Sequence, residues 1–319
     1  MQQRLDYFDS LKGFAIFMVL VGHVELSILK DPTIITATVS LIHIPIFMFI
    51  SGYLLYISLQ KGQQFNYFFF DKFKRLVLPF FSFVILFSIV FRINIIEILF
   101  SDYKYGFWFT LTLFFIILMV ALISKLIPKK INTIYELIIW STFYFFICYV
   151  HFFISYSYKY DKLLSFSQLV YYFPIFVFGY LNSRFDKIYH YISKNLFYVI
   201  ISICIFLSCL VLKWYFEHDS LFLLIISGAT GVLSLNYFIQ RYSNFILKVP
   251  FSHFGKFSLE IYMIHFFYLE LIVRIINFSL IPSFLVLIVM PVVLLIISYY
   301  TGMFLKRSKL LEIVLWGKF

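Results

Sequence analysis

The chain has 319 residues, of which 63% are hydrophobic, 23% aromatic and only 13% charged, with a formal net charge of +11. A soluble domain carries about 25% charged residues, so the composition excludes a soluble globular enzyme and points to an integral membrane protein. No DNA- or RNA-binding motif accompanies the positive charge, so it argues for anionic lipid headgroups rather than for nucleic acid.

Crossing a hydrocarbon core takes about 20 helical residues. Apolar runs of that order recur at approximately 13–30, 37–58, 76–93, 107–127, 133–150, 168–183, 195–214, 220–240, 255–275 and 280–304. The expectation is an all-α bundle of about ten transmembrane helices in one domain, 1–319, with no separate soluble domain. The first run is too long for a signal-peptide core and has no small-residue cleavage site, so it is expected to remain in the mature protein. Of the 26 Lys and Arg, 19 fall at the termini and on the connections sharing their side, which predicts that both termini are cytoplasmic. Cys148, Cys204 and Cys209 lie inside runs without C-x-x-C spacing and indicate neither a disulfide framework nor a zinc site; no metal is expected.

The first run contains VLVGHVELSI. His23 lies ten residues past Gly13, about 15 Å deep at about 1.5 Å per residue, with Lys12 beneath it on one face and Asp9 near that stripe. Ionisable groups at such depth face a protein interior or a water-filled cavity, and a neutral imidazole exchanges a proton near neutral pH. His23 reads either as a reaction-site base or as a histidine hydrogen-bonded between helices. Glu25 points about 200° away on a straight helix; it serves His23 only if the helix is distorted, and otherwise is a structural carboxylate.

In the second run, HIPIFMFISGYL, Pro45 removes a backbone donor near His43, while Ser51 and Gly52 permit close helix approach. The stretch QKGQQFNYFFFDKFKR, residues 60–75, mixes aromatics with Lys72, Lys74 and Arg75 and is expected in the cytoplasmic interface. Those cations either set topology or bind phosphate, Arg75 as a forked donor and the lysines as point charges. In the ninth run, GKFSLEIYMIHF, His265 lies ten residues from Gly255, the same depth as His23. Two imidazoles on different helices are thereby placed to line one cavity.

In order along the chain, YFDSLKGFAIFMVLVGH, HIPIFMFISGYL, KFKRLVLPF, YGFWFTLTLF and FSLEIYMIH together resemble the acyltransferase family 3 membrane proteins, which include bacterial O-acetyltransferases of surface polysaccharides. The resemblance spans residues 7 to 265. It implies a multi-pass protein of the bacterial plasma membrane that moves an acetyl or succinyl group from cytoplasmic acyl-coenzyme A to a glycan hydroxyl, working beside membrane lipids and polysaccharide synthesis or export proteins. The family's first-span catalytic histidine maps to His23, and its R-x-x-R block maps to Lys72 through Arg75. Lys72 stands at the first arginine, keeping the charge but losing the planar fork. The first-span basic position is Lys12, with Asp9 before it, and Trp108 matches a family tryptophan.

The expected catalytic set is therefore His23, His265 and Glu25, the first acting as a base or as an acyl carrier. The expected coenzyme contacts are Lys12, Lys72, Lys74 and Arg75, with acetyl-coenzyme A the donor. The expected substrate contacts are Asp9, His43, Ser51, Trp108 and Tyr262. The alternatives are a polysaccharide or lipid-linked sugar exporter, a proton-coupled transporter with His23 and His265 as relay groups, and a non-catalytic scaffold.

Overall fold

The computed structural model describes residues 2–317 apart from 31, 129, 156–157, 217–219 and 242–247. Among the described residues every regular element is helical. Phe, Tyr and Ile favour strands by propensity, and the chain holds 45 Phe and 25 Tyr. In lipid, however, only a helix or a closed barrel satisfies its own backbone donors and acceptors, and that requirement overrides propensity.

From the N-terminus, α1 (Gln2–Val24) opens into a π-turn (Glu25–Leu29) and is followed by α2 (Ile34–Leu59). Next, α3 (Phe65–Lys72), a second π-turn (Phe73–Val77) and α4 (Leu78–Phe91) form one continuous helical stretch from Phe65 to Phe91. There follow α5 (Ile95–Phe100), α6 (Trp108–Leu126), α7 (Thr133–Ser155), α8 (Tyr158–Leu164) and α9 (Phe166–Arg184). The remainder comprises α10 (Asp186–Lys194), α11 (Leu196–Tyr215), α12 (Leu221–Arg241), α13 (Lys248–Lys256), α14 (Ser258–Ile275), α15 (Ser283–Leu305) and α16 (Lys309–Trp316).

Among the described residues nine helices are long and apolar enough to cross a membrane, one fewer than the expected runs. The difference is α14, 18 residues long, which carries three charged residues, Glu260, Glu270 and Arg274. Glu260 is buried, and Glu270 pairs with Arg274 at 2.7 Å. The third run also differs from its expected bounds. It begins at Phe65, so the basic stretch runs into the span as one continuous helix rather than through a separate connection.

The chain divides into two compact units. The first is Met1–Ile50 with Phe185–Leu305, and the second is Ser51–Arg184 with Lys306–Phe319.

In the first unit α1 packs against α12, α13, α14 and α15. The closest approach is between α1 and α13, where a Cβ on Gly13 would collide with the Phe251 carbonyl and one on Gly255 with the Asp9 carbonyl. Small residues allow such backbone contact between membrane helices, where apolar burial against lipid supplies little drive of its own. Between α14 and α15, Gly302 leaves room for Glu260, whose Cβ would stand 3.0 Å from an added methyl.

In the second unit Gly52 meets the backbone of Phe176 on α9, the close approach that the ISGYL segment leads one to expect. Glu136 on α7 is fully buried and held by Arg184 of α9 at 2.6 Å and by the Trp140 indole at 3.3 Å. At the C-terminal end, Trp316 packs on Phe83 at 4.9 Å, and Gly317, in the left-handed conformation, lies against the Lys74 carbonyl. Much of the apolar surface of α7 and α11 stays exposed, including Phe145, Phe146, Leu207 and Val211, as suits helices that face lipid.

Candidate functional site

Three imidazoles gather in the first unit, one each from α1, α2 and α14. His23 lies on the last turn of α1, just before its π-turn. Its ring centroid is 5.3 Å from that of His265 on α14, with 35° between the planes, and 4.8 Å from that of Phe266, which meets it edge to face. His43, on α2, lies one turn from Val39, which meets α1 at Gly22 beside His23. Tyr262 borders the group, 5.9 Å from His265.

The helices fix the tautomers of two of these rings. Nδ1 of His265 donates to the Ile261 carbonyl at 3.1 Å, and Nδ1 of His43 donates to the Val39 carbonyl. A carbonyl oxygen can only accept, so each Nδ1 carries the proton and each Nε2 presents a lone pair. Nε2 of His265 is buried and has no hydrogen-bond partner among the described residues. The site therefore holds a base atom with nothing yet to accept from. Among the described residues no three His, Cys, Asp or Glu side chains are grouped as metal ligands would be.

Glu25 is the first residue of the π-turn and is fully buried. Its two carboxylate oxygens accept from the hydroxyls of Thr33 and Thr36. The carboxylate thus ties the end of the first span to the start of the second, and among the described residues no hydrogen bond joins it to His23. Asp9 and Lys12 form an ion pair at 2.7 Å near the start of α1, as their shared face predicts.

The basic block lies in the second unit. Lys74 and Arg75 sit within the second π-turn, and Lys72 ends the helix before it. Pro79 explains the widening. It has no N–H to offer the Arg75 carbonyl, and the N–H of Leu78 reaches back five residues to Phe73. Asp71, one residue before the block, accepts from Arg75 at 2.8 Å and from Lys72 at 3.3 Å. Arg75 remains largely exposed. Also in this unit, Trp108 begins α6 and stacks on Tyr172 at 5.5 Å, while Ser51 is half-buried on α2 beside Gly52.

The acyltransferase family 3 profile, described as "Acyltransferase domain", matches residues 5–303. The chain belongs to that family. No curated protein and no solved structure matches it.

Of the candidate site of this membrane acyltransferase, His23 and His265 were legible in the sequence, and the groups that hold Glu25 and Arg75 were not. Thr33, Thr36 and Asp71 carry no motif of their own, since a hydroxyl or a carboxylate near a helix end is ordinary in any sequence. Both π-turns fall on the motifs, one directly after His23 and one across Lys74 and Arg75, and π-turns are frequent at functional sites. Pro79, four residues after Arg75, was the one readable sign of the second.

A polar cluster in the second unit has the composition of a Ser-His-Asp triad but not its wiring. Ser167 donates its backbone N–H to Asp161 at 3.0 Å and its hydroxyl to the same carboxylate at 2.7 Å. His151 approaches both through the same Nε2, at 3.1 Å from the serine and 3.3 Å from the aspartate. In a working triad the acid holds the other ring nitrogen and leaves the hydroxyl to the base. Here Asp161 braces the first turn of α9.

Proposed function

We propose that this acyltransferase moves a short acyl group, acetyl in the simplest case, from cytoplasmic acyl-coenzyme A to a hydroxyl of a cell-surface or lipid-linked glycan, in the bacterial plasma membrane with both termini cytoplasmic. The observation that carries the reading is the close pair His23 and His265, with the second ring's Nε2 unpartnered. Family membership supplies the reaction class, and the imidazoles supply the base that class requires. Neutral His23 takes the proton of the acceptor hydroxyl as its oxygen attacks the thioester carbonyl. The new C–O bond forms, the C–S bond breaks, and the proton passes to the departing thiolate to give free coenzyme A. His265 and Phe266 flank the base, and Tyr262 and His43 bound the space around it.

Lys72, Lys74 and Arg75 are our assignment for the coenzyme phosphates, with Asp71 as the internal counter-charge that the phosphates replace. Lys12, held by Asp9, is a second candidate contact for the donor. Ser51, beside Gly52, and Trp108, stacked on Tyr172, are our assignment for substrate contacts in the second unit, and Glu25 fastens the first two spans.

The test is thiol release from acetyl- and succinyl-coenzyme A by protein in nanodiscs supplied with crude surface glycan. Wild type is expected to release coenzyme A, and His23→Ala to lose about 10²–10⁴-fold of that rate. Intact His23→Ala protein that keeps the wild-type rate would falsify the assignment. A wild type that binds and turns over neither donor removes the coenzyme reading and favours export.

A further inference from the structure

Asn236 on α12 is fully buried, and neither its Oδ1 nor its Nδ2 has a hydrogen-bond partner among the described residues. A flipped amide would not help, because both ends are unpartnered. Buried polar groups are normally bonded, and in a membrane helix a carboxamide without partners is among the less tolerable residues. Other buried polar side chains of the same helix are served within it: Ser227 by the Leu224 carbonyl and Ser234 by that of Thr230. Asn236 stands out because its own helix does not satisfy it.

Its depth follows from neighbouring contacts. A Cβ on Gly22, next to His23, would stand 2.9 Å from Val39, so that part of α2 is level with the imidazoles. Three residues further along α2, Ile42 lies 3.5 Å from the corresponding point on Gly231 of α12. Successive spans alternate in direction. The span containing α12 is the eighth and α2 the second, so the two run the same way. Asn236, five residues past Gly231, therefore lies about 12 Å from the His23 level towards the Asp9–Lys12 end of α1. Lys12 itself is about 16 Å from His23 along α1, and α12 packs on α1. The orphan amide thus falls between the ion pair at the start of α1 and the histidines.

We propose that Asn236 is the recognition point for a secondary amide of the acyl donor, the group that recurs along the pantetheine arm of coenzyme A. This rests on the acyl-coenzyme A reading above. An arm carrying a thioester to His23 from the Asp9–Lys12 end passes this depth. Its amide N–H and C=O would otherwise enter an apolar interior unbonded. A carboxamide side chain is neutral and offers one acceptor and two donors, so it can pair with both ends of a peptide-like amide without burying a charge.

The experiment compares acetyl-coenzyme A with S-butyl thioacetate, which has the same thioester and no amide, on full-length protein in nanodiscs with crude surface glycan as acceptor. Asn236→Leu removes the amide at similar volume, and Asn236→Gln keeps it on a longer stem. For Asn236→Leu we expect KM for acetyl-coenzyme A to rise about tenfold, kcat/KM for butyl thioacetate to stay at the wild-type value, and the melting temperature to hold or increase. Asn236→Gln should fall between wild type and Asn236→Leu. Unchanged KM for acetyl-coenzyme A in Asn236→Leu, or equal losses on both donors, would show that the amide binds water or serves packing, and would overturn the inference. If Asn236→Leu does not fold, a Gln variant that loses both donors equally overturns it in the same way. Failure of wild type to use acetyl-coenzyme A is visible before any variant is made, and removes the donor reading together with this one.

Discussion

At the scale of single residues, the histidine pair and its supports make separable predictions. If His265 assists His23 through its free Nε2, His265→Ala should lower kcat by about 10²-fold with little change in KM for the donor, measured by thiol release. Asp71 is expected to act in the opposite sense on the donor. It already occupies Arg75 and Lys72, so Asp71→Asn should tighten coenzyme A binding by a few-fold at low salt, an advantage that shrinks as salt is raised. Binding that weakens instead would mean that Asp71 orients the guanidinium rather than competing for it. Lys104, outside the spans, is fully buried and donates to the Leu99 and Lys162 carbonyls. Burial pushes its ammonium down to about 8, against the opposing pull of Asp102 and Asp161. The unfolded chain holds that proton up to the ordinary lysine range, so between about pH 8 and 10.5 it binds more protons than the folded one. This group's share of stability therefore rises with pH across that window and is flat below it. Lys104→Met should remove that part of the slope from melting temperatures recorded between pH 7.5 and 10.

At the scale of elements, two contacts carry more than their size suggests. The crossing of α1 and α13 is made by backbone at Gly13 and Gly255, so Gly13→Ala must push the helices apart and should lower the melting temperature and the expression of folded protein. A Gly13→Ala protein as stable as wild type would mean that the crossing relaxes freely. Glu136 and Arg184 join α7 to α9 as a buried pair; removing one partner strands the other, and Glu136→Ala is expected to destabilise by about 3–5 kcal/mol. The spans themselves were legible, because a run of apolar residues that cannot expose its backbone to lipid has essentially one solution. So was the shared depth of His23 and His265, since helical rise is constant from one span to the next. The π-turns, the glycine crossing with a nine-residue helix and the threonine seat of Glu25 were not. Each depends on which atoms meet in space, and hydropathy averages those identities away. Straight-helix geometry, which puts Glu25 about 200° from His23, describes neither the π-turn nor the residue's real partners.

At the scale of the whole molecule, composition announced a membrane protein, and family membership adds acyl transfer to it. The division into two units, each built from two separated stretches of the chain, was invisible to a reading that moves along the sequence, because long-range contact is what defines a unit. One detail of the first unit also bears on the transport alternative. A histidine in a proton wire must receive on one nitrogen and release from the other. His43 and His265 have each committed Nδ1 to a carbonyl of their own helix, and a carbonyl passes no proton onward. The two rings are therefore ends of a path, not links in it. Vesicles containing the protein should hold an imposed pH gradient as long as empty ones do, and the imidazole array is suited to lending a proton and taking it back at the same atom, as acyl transfer requires.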